Sequence, residues 1–199
     1  RSGGLGDVYK RQAKLLGVES PLQPVLSFPL GANDVTLQDL AMLYQSLATG
    51  QVFGDSTSPK NHWSLIQRIE DTGGRTIYEA DHQSRNILDP VVNRALQEIM
   101  RSVVEYGTGR RAKRFLQTEY VRENGKQVKV QIPALGKTGT ANNYSNATFV
   151  GHLPVPTRQG MQTRGGYTIA VYVGSDRPGE AEETLNRFRL TGSSGALPV

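Results

Sequence analysis

Gly136-Lys137-Thr138-Gly139-Thr140 is the stretch on which the reading of this chain turns. An apolar lead-in, Ile132-Pro133-Ala134-Leu135, precedes it, and a polar run, Ala141-Asn142-Asn143-Tyr144-Ser145-Asn146, follows. Two further segments of strand character, about 147–153 and 167–174, come next. In that setting residues 136–141 read as an edge strand lining a site. Lysine brings a positive charge and threonine hydroxyls bring short hydrogen bonds, a set suited to a carboxylate. Gly139 removes a side chain where a ligand backbone must come close. An unpaired edge can also take up an extended peptide by β-augmentation.

Helices are predicted upstream of this strand. Val91, Ala95, Leu96, Ile99, Met100, Val103 and Val104 form an apolar stripe at helical spacing. Asp89 caps that helix with Pro90 at its first position, and Tyr106-Gly107-Thr108-Gly109 stops it. A second helix carries Leu37, Leu40, Ala41, Tyr44 and Leu47. Its expected N-cap is Thr36, its stop is Gly50, and Asp39 stands where a capping-box acid would be. Residues 65–69 and 76–78 flank Asp71-Thr72-Gly73-Gly74 as a hairpin, with glycine supplying positive φ. Residues 13–31 read as a helix tail and a proline-broken extended loop, 51–63 as a turn-rich loop, and 123–126 as a small excursion. Residues 1–12 show no clear period. They are expected to be a non-native or junction segment and are set aside from the fold, which leaves 13–199 as the domain. The fold class expected is α/β of the α+β type, with an antiparallel sheet flanked by helices.

Composition excludes several functions. With 23 basic and 18 acidic residues the chain is basic, at net +5. Most of those charges are scattered, and the one cluster, Arg110-Arg111-Ala112-Lys113-Arg114, reads as a solvated helix end or loop. No nucleic-acid partner is expected, because no aromatic-interleaved, zinc-finger or helix-turn-helix signature accompanies it. The absence of cysteine rules out disulfides and thiol catalysis. No apolar run reaches membrane-spanning length. Gly136-Lys137-Thr138 ends like a phosphate loop, yet Gln131 stands where that loop needs glycine. Gly107-Thr108-Gly109-Arg110-Arg111-Ala112 follows a helix rather than a strand, so it is a turn and not a dinucleotide fingerprint. No Gly-x-Ser-x-Gly elbow exists. His62, His82 and His152 are expected to be exposed structural residues, and no two are spaced as zinc ligands. Asp71, Asp81, Asp89 and Asp176 lie near turns, and Glu180, Glu182 and Glu183 read as a solvated acidic stretch. Neither cofactor nor metal is expected.

From about residue 13 to 199 the chain resembles the C-terminal half of the transpeptidase domain of a class A penicillin-binding protein. The likeness rests on several segments in order. Leu30-Gly31-Ala32-Asn33-Asp34-Val35-Thr36 and its helix resemble the segment after the family's Ser-x-Asn motif. Val103-Val104-Glu105-Tyr106-Gly107-Thr108-Gly109-Arg110 resembles the glycine-rich turn before the active-site strand, and Gly136 to Thr140 resembles that Lys-Thr-Gly-Thr strand. Phe149-Val150-Gly151-His152-Leu153-Pro154 and Val171-Tyr172-Val173-Gly174 resemble the next two strands, and Thr191-Gly192 onward resembles the stretch before the last helix. Two departures stand out. Asn146-Ala147-Thr148-Phe149 replaces a common Asp-Ala-Trp-Phe run. No Ser-x-x-Lys occurs, and Ser84-Arg85-Asn86 lies too late in the chain to be the family's Ser-x-Asn.

The resemblance implies a partial penicillin-binding/serine β-lactamase-like fold, truncated at both ends. It implies a longer parent, bound for the outer face of the bacterial cytoplasmic membrane and anchored by an upstream segment, with a glycosyltransferase domain upstream. Its partners would be D-Ala-D-Ala stem peptides of peptidoglycan, β-lactams, and cell-division or elongation proteins. Its reaction would be serine acyl transfer. By the resemblance, Lys137 and Thr140 would carry the catalytic roles: a positive potential near the nucleophile, and an oxyanion-hole N–H. Lys137, Thr138, Gly139 and Thr140 would bind substrate, the two hydroxyls taking the donor carboxylate. The chain alone lacks the nucleophile and is expected to be inactive. The alternatives are a D,D-carboxypeptidase or β-lactamase-like hydrolase, and a non-catalytic penicillin- or peptide-binding sensor domain.

Overall fold

A computed structural model describes residues 4–54, 66–80, 83–121, 125–141, 146–174 and 191–193. Among the described residues three α-helices accompany nine strands, and every strand pairing is antiparallel. The helices are α1 (Leu5–Leu15), α2 (Leu37–Thr49) and α3 (Pro90–Glu105). The strands β1 (Gln51–Gly54) and β4 (Gln83–Asn86) pair, as do β2 (Arg68–Glu70) with β3 (Thr76–Glu79) and β5 (Gln117–Val121) with β6 (Gln127–Gln131). The central sheet has the order β7-β8-β9, built from Leu135–Thr140, Asn146–Thr157 and Gly160–Gly174. This is the expected mixed architecture of antiparallel sheets flanked by helices.

Helix ends follow local chemistry. Thr36 accepts the Asp39 N–H at 3.0 Å, and Asp89 accepts those of Val91 at 2.8 Å and Val92 at 3.4 Å. Each satisfies first-turn donors that have no partner within the helix. Gly50 closes α2 in the left-handed region, φ 74°. Asp39 is not a capping-box acid. Its carboxylate turns away from the Thr36 N–H and accepts the N–H groups of Glu19 and Ser20, both at 2.8 Å, together with the Ser20 hydroxyl. Burial would raise this carboxyl, but those hydrogen bonds outweigh it and hold the group below the ordinary carboxylate range.

The core forms where α2, α3 and β7 meet, at Ala48, Met100 and Leu135, with Tyr44 and Leu47 packed against them. The α3 stripe is only partly used. Met100 and Val104 are buried, while Val91 is 77% and Ile99 63% exposed. Toward α2 the helix presents amides instead. Asn93 Nδ2 donates to Leu47 O and Gln97 Nε2 to Ala48 O, each at 2.6 Å. These carbonyls end α2 and lack intrahelical partners, so polar side chains fit there better than apolar ones.

Residues 5–12 lie in a helix although their sequence shows no period. That helix packs through a glycine: a Cβ on Gly6 would lie 2.2 Å from Pro24 O. Tyr9 also stacks on Phe28 at 6.2 Å. The hairpin around Asp71 forms as expected, with Gly74 at φ 80°. Of the excursion at 123–126, residues 123 and 124 lie outside the described residues, and Gly125 takes a positive φ of 76°.

β8 ends later and β9 begins earlier than the expected 147–153 and 167–174. Pro154 sits at a register shift between Leu153 and Val155, where the ladder needs no N–H. The hairpin closes at Gly160, φ 112°, whose carbonyl accepts the Thr157 hydroxyl at 2.7 Å.

Candidate active site

β7 pairs with β8 on one side, and among the described residues no strand pairs with its other edge. The ladder alternation fixes what that edge offers. Ala141 N donates to Asn146 O at 2.9 Å, one step beyond the Thr140–Ala147 pair. Residue pairs alternate along an antiparallel ladder between exchanging both main-chain bonds and exchanging none. The Gly139–Thr148 and Lys137–Val150 pairs therefore bond across the ladder. Thr138 and Thr140, opposite Phe149 and Ala147, turn N–H and C=O to the open edge.

Side chains alternate as well. Lys137 and Gly139 share one face with Leu135, and Thr138 and Thr140 share the other. Lys137 is exposed, and its Nζ donates to Thr138 O at 2.8 Å. That carbonyl is one of the groups facing the open edge. Thr138 is only 8% exposed, and its Oγ1 lies 2.5 Å from Thr108 Oγ1. Thr140 is exposed and its Oγ1 accepts the Gly192 N–H at 3.1 Å. A hydroxyl that accepts keeps its own proton to donate. The strand edge thus presents main-chain donors and acceptors, flanked by an ammonium on one side and hydroxyls on the other. An extended ligand ending in a carboxylate fits such an edge.

Glycines let this strand lie close to its neighbours. A Cβ on Gly139 would lie 2.1 Å from Thr148 Oγ1, and a Cβ on Gly136 would meet the Phe149 ring at 2.9 Å. Thr148 and Asn146 are the two residues that set the 146–149 run apart in the sequence. Thr148 fills the space over Gly139, and Asn146 Oδ1 accepts the Tyr172 hydroxyl at 2.9 Å.

Thr108 is the residue that sequence reasoning missed. Gly107 and Gly109 were read as a helix stop, and the small hydroxyl residue between them was the available signal. One expectation is corrected at His152, while the basic cluster is the solvated short helix expected of it. His152 is not exposed: it is 2% exposed on β8. Its Nε2 lies 2.9 Å from Thr163 O, which can only accept, so Nε2 carries the proton and Nδ1 accepts from Thr168 Oγ1 at 2.8 Å. Burial pushes its pKa down, against the opposing pull of the Thr163 bond. His62 and His82 lie outside the described residues. Within the basic cluster Lys113 pairs with Glu105 and lies over the Tyr106 ring, and Arg114 stacks on Phe115. A cavity of about 780 Å³ beneath this segment has Phe149, Ile169 and Val171 in its wall, and none of residues 136–140 lines it. Ser84 and Asn86 lie on β4, where Asn86 Oδ1 accepts from Gln51 Nε2 at 2.9 Å.

No protein-family model matches the chain. It is 30% identical over 131 residues to penicillin-binding protein 4 of Bacillus subtilis (strain 168), a match covering 65% of this chain and 16% of that protein. Against penicillin-binding protein 1A of Rickettsia felis it is 27% identical over 201 residues, covering 97% of this chain and 22% of that protein. Penicillin-binding protein 1A of Aquifex aeolicus (strain VF5) is 28% identical over 186 residues, with 94% and 20% covered. The chain spans about a fifth of the length of these curated relatives. Together the matches support distant homology with penicillin-binding proteins in general. Among the described residues no helix is long and apolar enough to cross a membrane.

Proposed function

We propose that this chain is the C-terminal half of the transpeptidase domain of a class A penicillin-binding protein. The observation that carries the reading is the open edge of β7, where Thr140 turns its N–H outward beside the Lys137 ammonium and the threonine hydroxyls. The reach of the Rickettsia felis match, 97% of this chain, supports it.

In this reading the D-Ala-D-Ala end of a peptidoglycan stem lies along β7. Its carboxylate takes hydrogen bonds from the Thr138 and Thr140 hydroxyls, and Lys137 supplies positive potential. A serine from the upstream half of the domain attacks the penultimate carbonyl. The Thr140 N–H, with that serine's own N–H, receives the charge developing on oxygen. Donors fixed before the reaction need no reorganisation as that charge forms. Terminal D-Ala leaves and a serine ester remains. An amine of a neighbouring stem then displaces the serine and makes the cross-link. A β-lactam follows the first half of this course and stays as the ester. The parent acts on the outer face of the cytoplasmic membrane.

Labelling with a fluorescent penicillin tests the reading. The full-length protein should take covalent label that unlabelled penicillin competes away, and this 199-residue chain alone should take none. Label on a serine of the isolated chain, or no label on the full-length protein, would overturn it.

A further inference from the structure

We infer that Thr108 is a positioning residue for the β7 edge: its hydroxyl fixes the rotamer of Thr138 and the direction in which Thr138 offers its proton. The inference rests on the reading above and adds a residue to it.

The two Oγ1 atoms are 2.5 Å apart across thirty residues of sequence. Thr138 is buried, while Thr108 is exposed beside it. Two hydroxyls bonded to each other share one proton and keep one free. When Thr108 donates, the proton of Thr138 is left for a ligand acceptor. When Thr138 donates, it can only accept. Thr108 therefore decides whether Thr138 can serve an anionic ligand.

The turn that holds Thr108 is tightly constrained. Gly107 N donates to Ser102 O at 3.0 Å, Gly109 N to Val103 O at 2.9 Å, and Arg110 N to Gly107 O at 3.2 Å. A Cβ on Gly107 would lie 2.9 Å from Val103 Cα, and one on Gly109 would lie 3.2 Å from Val103 O. Both glycines let the turn press on the last turn of α3, and that placement brings the threonine between them to Thr138. Gly192 limits the space from another side, since a Cβ there would lie 2.8 Å from Thr138 Cβ. What holds Thr138 Oγ1 toward this turn is the hydrogen bond to the Thr108 hydroxyl, which a residue of the same shape without the hydroxyl cannot make.

The test uses the full-length protein and compares Thr108→Val, which keeps shape and loses the hydroxyl, with Thr108→Ser, which keeps the hydroxyl. Acylation is followed with a penicillin bearing its free carboxylate and with the methyl ester of the same compound. Thr108→Val should slow acylation by the free acid about tenfold, the kinetic equivalent of roughly one hydrogen bond. It should leave reaction with the ester unchanged, and Thr108→Ser should restore the free-acid rate to within about twofold. Thr108→Val acting at the wild-type rate, or slowing acid and ester alike, would overturn the inference while leaving the broader reading intact. A wild-type protein that no penicillin acylates would sink that reading, and this inference with it.

Discussion

Thr148 Oγ1 occupies the position that a side chain on Gly139 would need, with only 2.1 Å between that oxygen and an ideal Cβ. The two residues are direct partners across the β7–β8 ladder, where β-branched threonine has limited χ1 freedom. Gly139→Ala should destabilise the protein by about 1–3 kcal/mol, the usual cost of forcing extra atoms into a filled space. The Thr148 Cβ itself would lie at an acceptable 3.5 Å, so the conflict is confined to the hydroxyl. Adding Thr148→Ala to Gly139→Ala should recover most of the loss. Denaturant unfolding of the two single variants and the double variant checks this. Additive losses would show that the two positions are not coupled.

His152 sets a pH dependence. It is neutral in the fold, donating from Nε2 and accepting at Nδ1, and burial lowers its pKa below the ordinary histidine value. The unfolded chain then binds more protons wherever pH lies between the two values, so stability rises with pH there. The contribution is complete above the unfolded value of about 6.5 and is lost as pH falls through the lower folded value. Urea midpoints measured from pH 7.5 down to 5 should fall, and part of that fall should disappear in His152→Gln. An identical pH profile for both proteins would rule out this source.

What the sequence made legible is chemistry that acts within a few residues. Thr36, Asp89 and Gly50 cap helices because their own side chains or backbone meet the adjacent turn. The edge strand was also readable, since Lys137 to Thr140 carries its chemistry in one run. Contacts between distant segments were not. Asp39 looked like a local cap, but its partners lie nineteen and twenty residues away. Thr108 reaches Thr138 over thirty residues, and nothing local marks that pairing. The apolar period of α3 was visible, but it could not show that Asn93 and Gln97 would turn toward the carbonyl end of α2 while Val91 stayed exposed.

Asp39 ties the 19–20 segment to α2, and its removal should be costly. Asp39→Ala leaves the N–H groups of Glu19 and Ser20 without their acceptor. Glu19 is exposed and Ser20 half-buried, so water can restore part of the roughly 1–3 kcal/mol that each unsatisfied donor would cost if fully buried. A loss of about 2–3 kcal/mol is expected in denaturant unfolding. The acid limb should change as well. With its folded pKa lowered, Asp39 contributes stability above its unfolded value, and that stability is lost as pH falls through the folded value. Asp39→Ala should therefore show a shallower stability loss on acidification. Equal slopes for wild type and variant would place the acid sensitivity elsewhere.

Lys137 offers a test that separates charge from shape. The residue is exposed and, among the described residues, its ammonium donates to the neighbouring Thr138 carbonyl, a surface contact that an incoming anion can replace. Charge-assisted hydrogen bonds contribute about 1.5–3 kcal/mol, so Lys137→Gln in the full-length protein should slow penicillin acylation by about 10- to 100-fold. Exposed charges are also screened by salt. Raising ionic strength should slow the wild-type reaction and leave the glutamine variant nearly unaffected. The β7–β8 pairing does not use the Lys137 side chain, so thermal stability should stay close to wild type. A variant that keeps both the rate and the salt dependence would move anion recognition away from β7. A variant that loses rate but keeps the salt dependence would leave Lys137 a role in shaping the edge, with the charge supplied by another group.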